Sequence, residues 1–160
     1  MLALHILDQN KLMTELLKAE TFDGFSLLDG QVTTFCSFQI DGRWQTDFFD
    51  EEEERTFAPW SLVRPHVLAL IKGRRAPKAF RFVLRFSEAD TEALLAGTGH
   101  GPEEVFSLSL SLRFDGRVLA LTTGTSLKSF TRERTIETLW DEYVADFLHQ
   151  KGIAVTAIPL

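Results

Sequence analysis

The sequence predicts an α+β fold: one domain over residues 1–160, a mainly antiparallel sheet built from hairpins, and helices packed on one face. Three observations carry this. Phe106, Leu108, Leu110, Leu112 and Phe114 alternate with Ser107, Ser109, Ser111 and Arg113, and Asp115-Gly116 then turns the chain back through residues 117–123. Strict alternation on either side of an Asp-Gly pair is a hairpin signal. Two further Asp-Gly pairs, Asp29-Gly30 and Asp41-Gly42, border apolar runs and are expected to turn hairpins as well. Ile136, Leu139, Trp140, Tyr143, Val144, Phe147 and Leu148 recur at helical spacing, which gives a helix over residues 135–150 an apolar stripe to lay on that sheet.

Residues 2–7 read as a short strand. Asp8 can cap the helix that follows, which carries Leu12, Met13, Leu16 and Leu17 on one face and ends near Glu20. After the Asp29-Gly30 turn, Val32, Thr34, Cys36, Phe38 and Ile40 share one face of a strand, which makes Cys36 a buried small hydrophobe. Residues 44–49 read as a further short strand. The acidic run Asp50–Glu54 reads as a solvated loop. A helix over residues 60–71 takes Ser61 as its cap and Pro65 near its first turn, with His66 packed beside the apolar face. Phe80, Phe82, Leu84 and Phe86 alternate with Arg81, Val83 and Arg85 in another half-buried strand. Ser87 caps a short helix, Gly-rich residues 96–102 form a loop, and Gly152 ends the last helix.

Composition narrows the function. A chain of 160 residues is long enough to bury a core, and fourteen Phe beside one Tyr suggest a core rich in rings. A net charge of -6 makes nucleic acid an unfavoured partner, since non-specific binding to it needs excess cations. One cysteine permits no internal disulfide and no Cys-rich zinc site. The four histidines lack metal spacing. No metal, cofactor or catalytic residue is therefore expected. No apolar run reaches membrane-spanning length, so the expectation is a soluble cytoplasmic protein.

Two segments point to ligands. Lys72, Arg74, Arg75 and Lys78 place four cations within seven residues of an acidic chain. Directly after a helix, they can hold a phosphate or carboxylate. The plainer account is that they stabilise the exposed carbonyls of a helix C-terminus and keep a sheet edge soluble. In the second segment Thr125, Ser126 and Lys128 follow the second strand of the 106–123 hairpin, and hydroxyls, loop N–H groups and an ammonium there suit an oxyanion. Ser126 and Lys128 are two residues apart, too close for a serine–lysine catalytic pair that needs one helical turn. The plainer account here is a polar strand exit. Arg81 and Arg85 with Ser107, Ser109, Ser111 and Arg113 form a third polar surface, read as a solvated sheet face.

The stretches "TFDGFSL", "TFCSFQIDGR", "PWSLVRPHVLALIKGRRAP", "TTGTSLKSF" and "WDEYVADFL" together resemble a family of small uncharacterised proteins from anaerobic Gram-positive bacteria that carry a domain of unknown function. The resemblance spans nearly the whole chain. It implies an intracellular bacterial single-domain protein and brings no catalytic residues with it.

The leading functional expectation is a non-enzymatic binding module whose basic loop holds a phosphorylated small molecule or an acidic protein. The alternatives are a small hydrolase or transferase acting at residues 122–128, and a structural homodimer subunit with an exposed apolar surface on its last helix.

Overall fold

The computed structural model describes residues 1–49 and 54–159. Its strands are β1 (Ala3–Ile6), β2 (Phe25–Thr33), β3 (Ser37–Asp41), β4 (Ala58–Pro59), β5 (Ala79–Phe86), β6 (Val105–Phe114), β7 (Leu119–Leu127) and β8 (Val155–Ala157). Its helices are α1 (Gln9–Leu17), α2 (Trp60–Ile71), α3 (Glu88–Leu95) and α4 (Thr135–Gln150). The strands join in one sheet of order β3-β2-β5-β6-β7-β1-β8, with β4 beside β2. Every pairing is antiparallel.

The β6–β7 hairpin forms as its alternation predicts. Leu112 faces Leu121, Ser111 faces Thr122, and Gly116 takes a φ of 99° at the turn. On one sheet face lie Phe25, Leu27, Val32, Phe80, Phe82, Leu84, Phe86, Leu108, Leu110 and Leu112, all buried. All four helices add side chains to the same core. Trp140 of α4 sits against Phe86 at 4.7 Å between ring centres, and its indole N–H donates to the Ser109 carbonyl at 3.1 Å. A buried indole thus finds the partner that its polar edge requires. The core is ring-rich as composition suggests, although Phe35, Phe48, Phe106 and Phe130 are exposed.

Caps hold where the side chain can reach. Asp8 accepts from the Lys11 N–H at 3.0 Å, and Ser87 from the Asp90 N–H at 3.1 Å. Helix α2 departs from expectation. Ser61 lies inside it, Pro59 occupies the cap position without a side-chain bond, and Pro65 falls in the second turn. His66 is exposed rather than packed.

The largest correction concerns Asp29-Gly30. The pair does not turn the chain but lies within β2, and the turn comes at residues 34–36. The reason is packing. A Cβ at Gly30 would stand 3.2 Å from the Phe82 ring, so the glycine makes room for a neighbouring strand's aromatic side chain. A register shift between Leu27 and Asp29 accommodates an extra residue, which is how a bulge bends a strand. Because the turn comes later, Cys36 sits on it and is exposed. Asp41-Gly42 does leave β3, and there a Cβ would come within 1.8 Å of the Leu27 carbonyl oxygen. Residues 44–49 give a 3-10 turn at Thr46–Phe48 in place of a strand. Of the acidic run, Asp50–Glu53 fall outside the described residues; Glu54 is exposed. No helix among the described residues is long and apolar enough to cross a membrane.

Candidate functional site: a cationic groove at one end of the sheet

The basic loop joins α2 to β5. It begins where the Lys72 N–H donates to the Leu68 carbonyl at 2.8 Å and ends where the Lys78 N–H donates to the Thr33 carbonyl at 2.9 Å. Lys72, Arg74, Arg75 and Lys78 are exposed. None forms an ion pair with a described residue. Elsewhere the chain does pair cations: Arg64 meets Asp23 through two bonds of 2.8 and 3.1 Å, and Lys11 meets Glu15 at 2.8 Å.

Beside this loop lies a groove of about 410 Å³ between α1 and α2, floored by the sheet end at Phe80, Phe114 and Leu119. Met13 and Leu17 of α1 form one wall, Leu68 and Ile71 of α2 another, and Ala76-Pro77 of the basic loop a third. The groove runs the length of α1, with lining residues from Gln9 to Lys18. The joint between the two helices is fixed by the Trp60 indole, which donates to the Leu16 carbonyl at 2.8 Å. Among the described residues, the charged side chains lining the groove are two cations, Lys18 and Lys72. Lys18 ends α1 and Lys72 ends α2. Arg74, Arg75 and Lys78 share the loop but lie outside the lining. Lys18 was not singled out from the sequence, where it reads as an ordinary helix-end cation.

The other end of the sheet is different. A cavity of about 770 Å³ gathers Arg85, Lys128, Glu88, Glu92, Glu103, Phe57 and Phe106. Its charges are mixed, two cations beside three carboxylates, and one pair of them meets. Arg85 lies 3.7 Å from Glu88, donates to the Phe106 carbonyl at 3.2 Å and covers the Phe57 ring at 5.8 Å. Lys128 is therefore roughly 25–30 Å from the groove along β7. Thr125 borders a separate depression near Phe130 and Arg132, and Ser126 is exposed opposite Ser107. Thr123 is buried, donating to Asp141 at 2.5 Å and accepting from the Leu2 N–H at 2.8 Å. No one cavity collects Thr123, Ser126 and Lys128, the arrangement that a nucleophile with a general base would need.

The polar sheet face forms as β5 and β6 pair, Arg81 opposite Arg113 and Arg85 opposite Ser109. Arg81 lies 3.6 Å from Asp29. His100, uninformative in sequence, proves well partnered: Nδ1 lies 3.0 Å from Glu104 and Nε2 3.2 Å from Glu133. Hydrogen bonds to Glu133 and Glu104 push its pKa up. Thr135, which donates to Glu133 at 2.8 Å, and then His100 hold the Glu133 carboxyl below its usual range. With both ring nitrogens engaged, this is a clasp between two loops. No group of three or more metal-ligating side chains forms among the described residues.

Fold and groove together define a two-layer α+β domain with a cleft between α1 and α2 that carries Lys18 and Lys72 in its lining. The chain belongs to DUF5721, a family of unknown function whose profile matches residues 15–156. No curated protein and no solved structure matches it.

Proposed function

We propose that this protein is a binding module that holds an anionic ligand at the α2–β5 loop, through Lys72, Arg74 and Arg75 with Lys78 beside them. One observation carries the reading: four exposed cations stand without acidic partners among the described residues in a chain with an acid surplus. Like charges held this close repel one another, and an anion relieves that cost. Arginine forks suit carboxylate or phosphate oxygens, and the lysines add point charge. The ligand is a small acid rather than nucleic acid, since the cations form one patch and not a track. A bacterial cytoplasm suits the single exposed thiol, Cys36.

The enzyme reading at residues 122–128 loses ground because its side chains part to different surroundings. The homodimer reading loses its expected support too: Ile136, Trp140, Val144 and Leu148 of α4 are buried in this chain's own core.

Thermal unfolding with inorganic phosphate, sugar phosphates and carboxylates tests the proposal. A ligand at a hundred times its Kd raises stability by about 2.7 kcal/mol. The Arg74→Ala/Arg75→Ala variant, which touches no buried group, should keep its own midpoint and lose that increment. Equal stabilisation of wild type and variant would end the proposal.

A further inference from the structure

We infer that the anion is amphipathic: a single-chain alkyl carboxylate whose tail lies in the α1–α2 groove and whose headgroup meets Lys72 and Lys18. This rests on the anion-binding reading above and goes further by naming the ligand class. Two properties of the groove support it. Its apolar lining, Met13, Leu17, Leu68 and Ile71 over Phe114, rewards a tail that leaves water, and its uncharged polar side chains, Gln9, Asn10 and Thr14, all stand on α1. Among the described residues its charged lining is Lys18 and Lys72, so a neutral or cationic apolar molecule would leave its electrostatics unused.

Size argues for a small molecule. About 410 Å³ falls in the roughly 300–1,000 Å³ range of small-molecule sites. A protein partner would need a face of about 800 Å² on each side. The far cavity, although larger, has three glutamates in its lining and does not suit an acid.

Calorimetry below the micellar range, on the full chain, tests this with hexanoate, octanoate, decanoate, decanol, decyl phosphate and inorganic phosphate. Affinity should climb up to about fourfold per added methylene until the groove is filled. Decanol should bind at least about tenfold more weakly than decanoate. Lys72→Gln combined with Lys18→Gln should weaken decanoate by about tenfold, and Leu68→Trp should block the tail while leaving inorganic phosphate unaffected. If Leu68→Trp fails to fold, Met13→Phe fills the same space. Decyl phosphate binding as well as decanoate would support the amphipathic site with either oxyanion as headgroup.

The failures separate. If phosphate binds at the loop and decanoate binds no better than hexanoate, the groove inference is overturned and the anion site stands. If decanol matches decanoate and the lysine variants change nothing, the groove is real but the anionic assignment falls. If no probe binds, both fall.

Discussion

The two ends of the β5–β6–β7 sheet solve the same covering problem differently. At the far end the opening is lined by side chains of both charges, and Arg85 is tied down among them. Arg85 alone contacts a glutamate, a carbonyl and a phenyl ring. At the near end the opening is apolar, and the cations around it are left unanswered. The difference lies in the sign of the lining charge: mixed at the far end, and among the described residues positive alone in the groove, which is what the proposed anion site rests on. Size alone would choose the far cavity, which is the larger of the two; the proposal rests on the sign of the lining charge instead.

The contrast can be broken from either side. The largest effect is expected at Gly42, whose backbone presses against Leu27 close to Leu28 and Phe57 of the far cavity. Gly42→Ala drives a methyl into a carbonyl oxygen and should cost about 3 kcal/mol or more, read as a lowered midpoint in urea. Below that midpoint the near groove should still bind decanoate, because its walls belong to other elements. Trp60→Phe acts on the near end. It removes the donor to the Leu16 carbonyl and should cost about 2 kcal/mol. Here decanoate affinity should fall along with stability, since the α1–α2 joint holds both walls.

The smallest effect concerns the His100 clasp and separates a structural tie from a binding site. Folding raises the His100 pKa above its ordinary 6.5. The stability it contributes is complete below that value and is lost as pH rises through the folded value. Folding lowers the Glu133 pKa from 4.5, so that contribution is present above 4.5 and disappears on acidification. The clasp is tightest between the two. His100→Gln should flatten the pH dependence of the midpoint above 6.5 and leave decanoate binding unchanged. An unaltered pH profile would show that the clasp contributes nothing.

Much of the fold is legible because its signals are local. The β6–β7 hairpin announces itself through three serines and Arg113 alternating with leucines ahead of an Asp-Gly turn, and α4 through seven apolar residues on one stripe. Asp29-Gly30 carries the same turn chemistry, yet its glycine answers the Phe82 ring, a contact more than fifty positions away. The single turn shift that follows is enough to bring Cys36 from core to surface. The site was half legible. The cationic loop is a composition signal, visible in any window. The groove beside it depends on how two helices are set against each other and the sheet end, and Lys18 enters only through that geometry. His100 shows the same limit, since Glu133 lies 33 residues away along the chain.

The placement of β1 has a consequence for how the protein is made. Its partners are β7 and β8, so Leu4 awaits Leu121 and Ala157. A chain emerging from the ribosome can settle the β2–β3 pair early, but its first strand stays unmatched until nearly everything else has been synthesised. Helix α1 follows β1 directly, and without that anchor it has no fixed seat against α2. The groove is therefore among the last features to take shape. A nascent chain arrested before β7 would display the basic loop without the cleft, a set of cations with nowhere to put a tail.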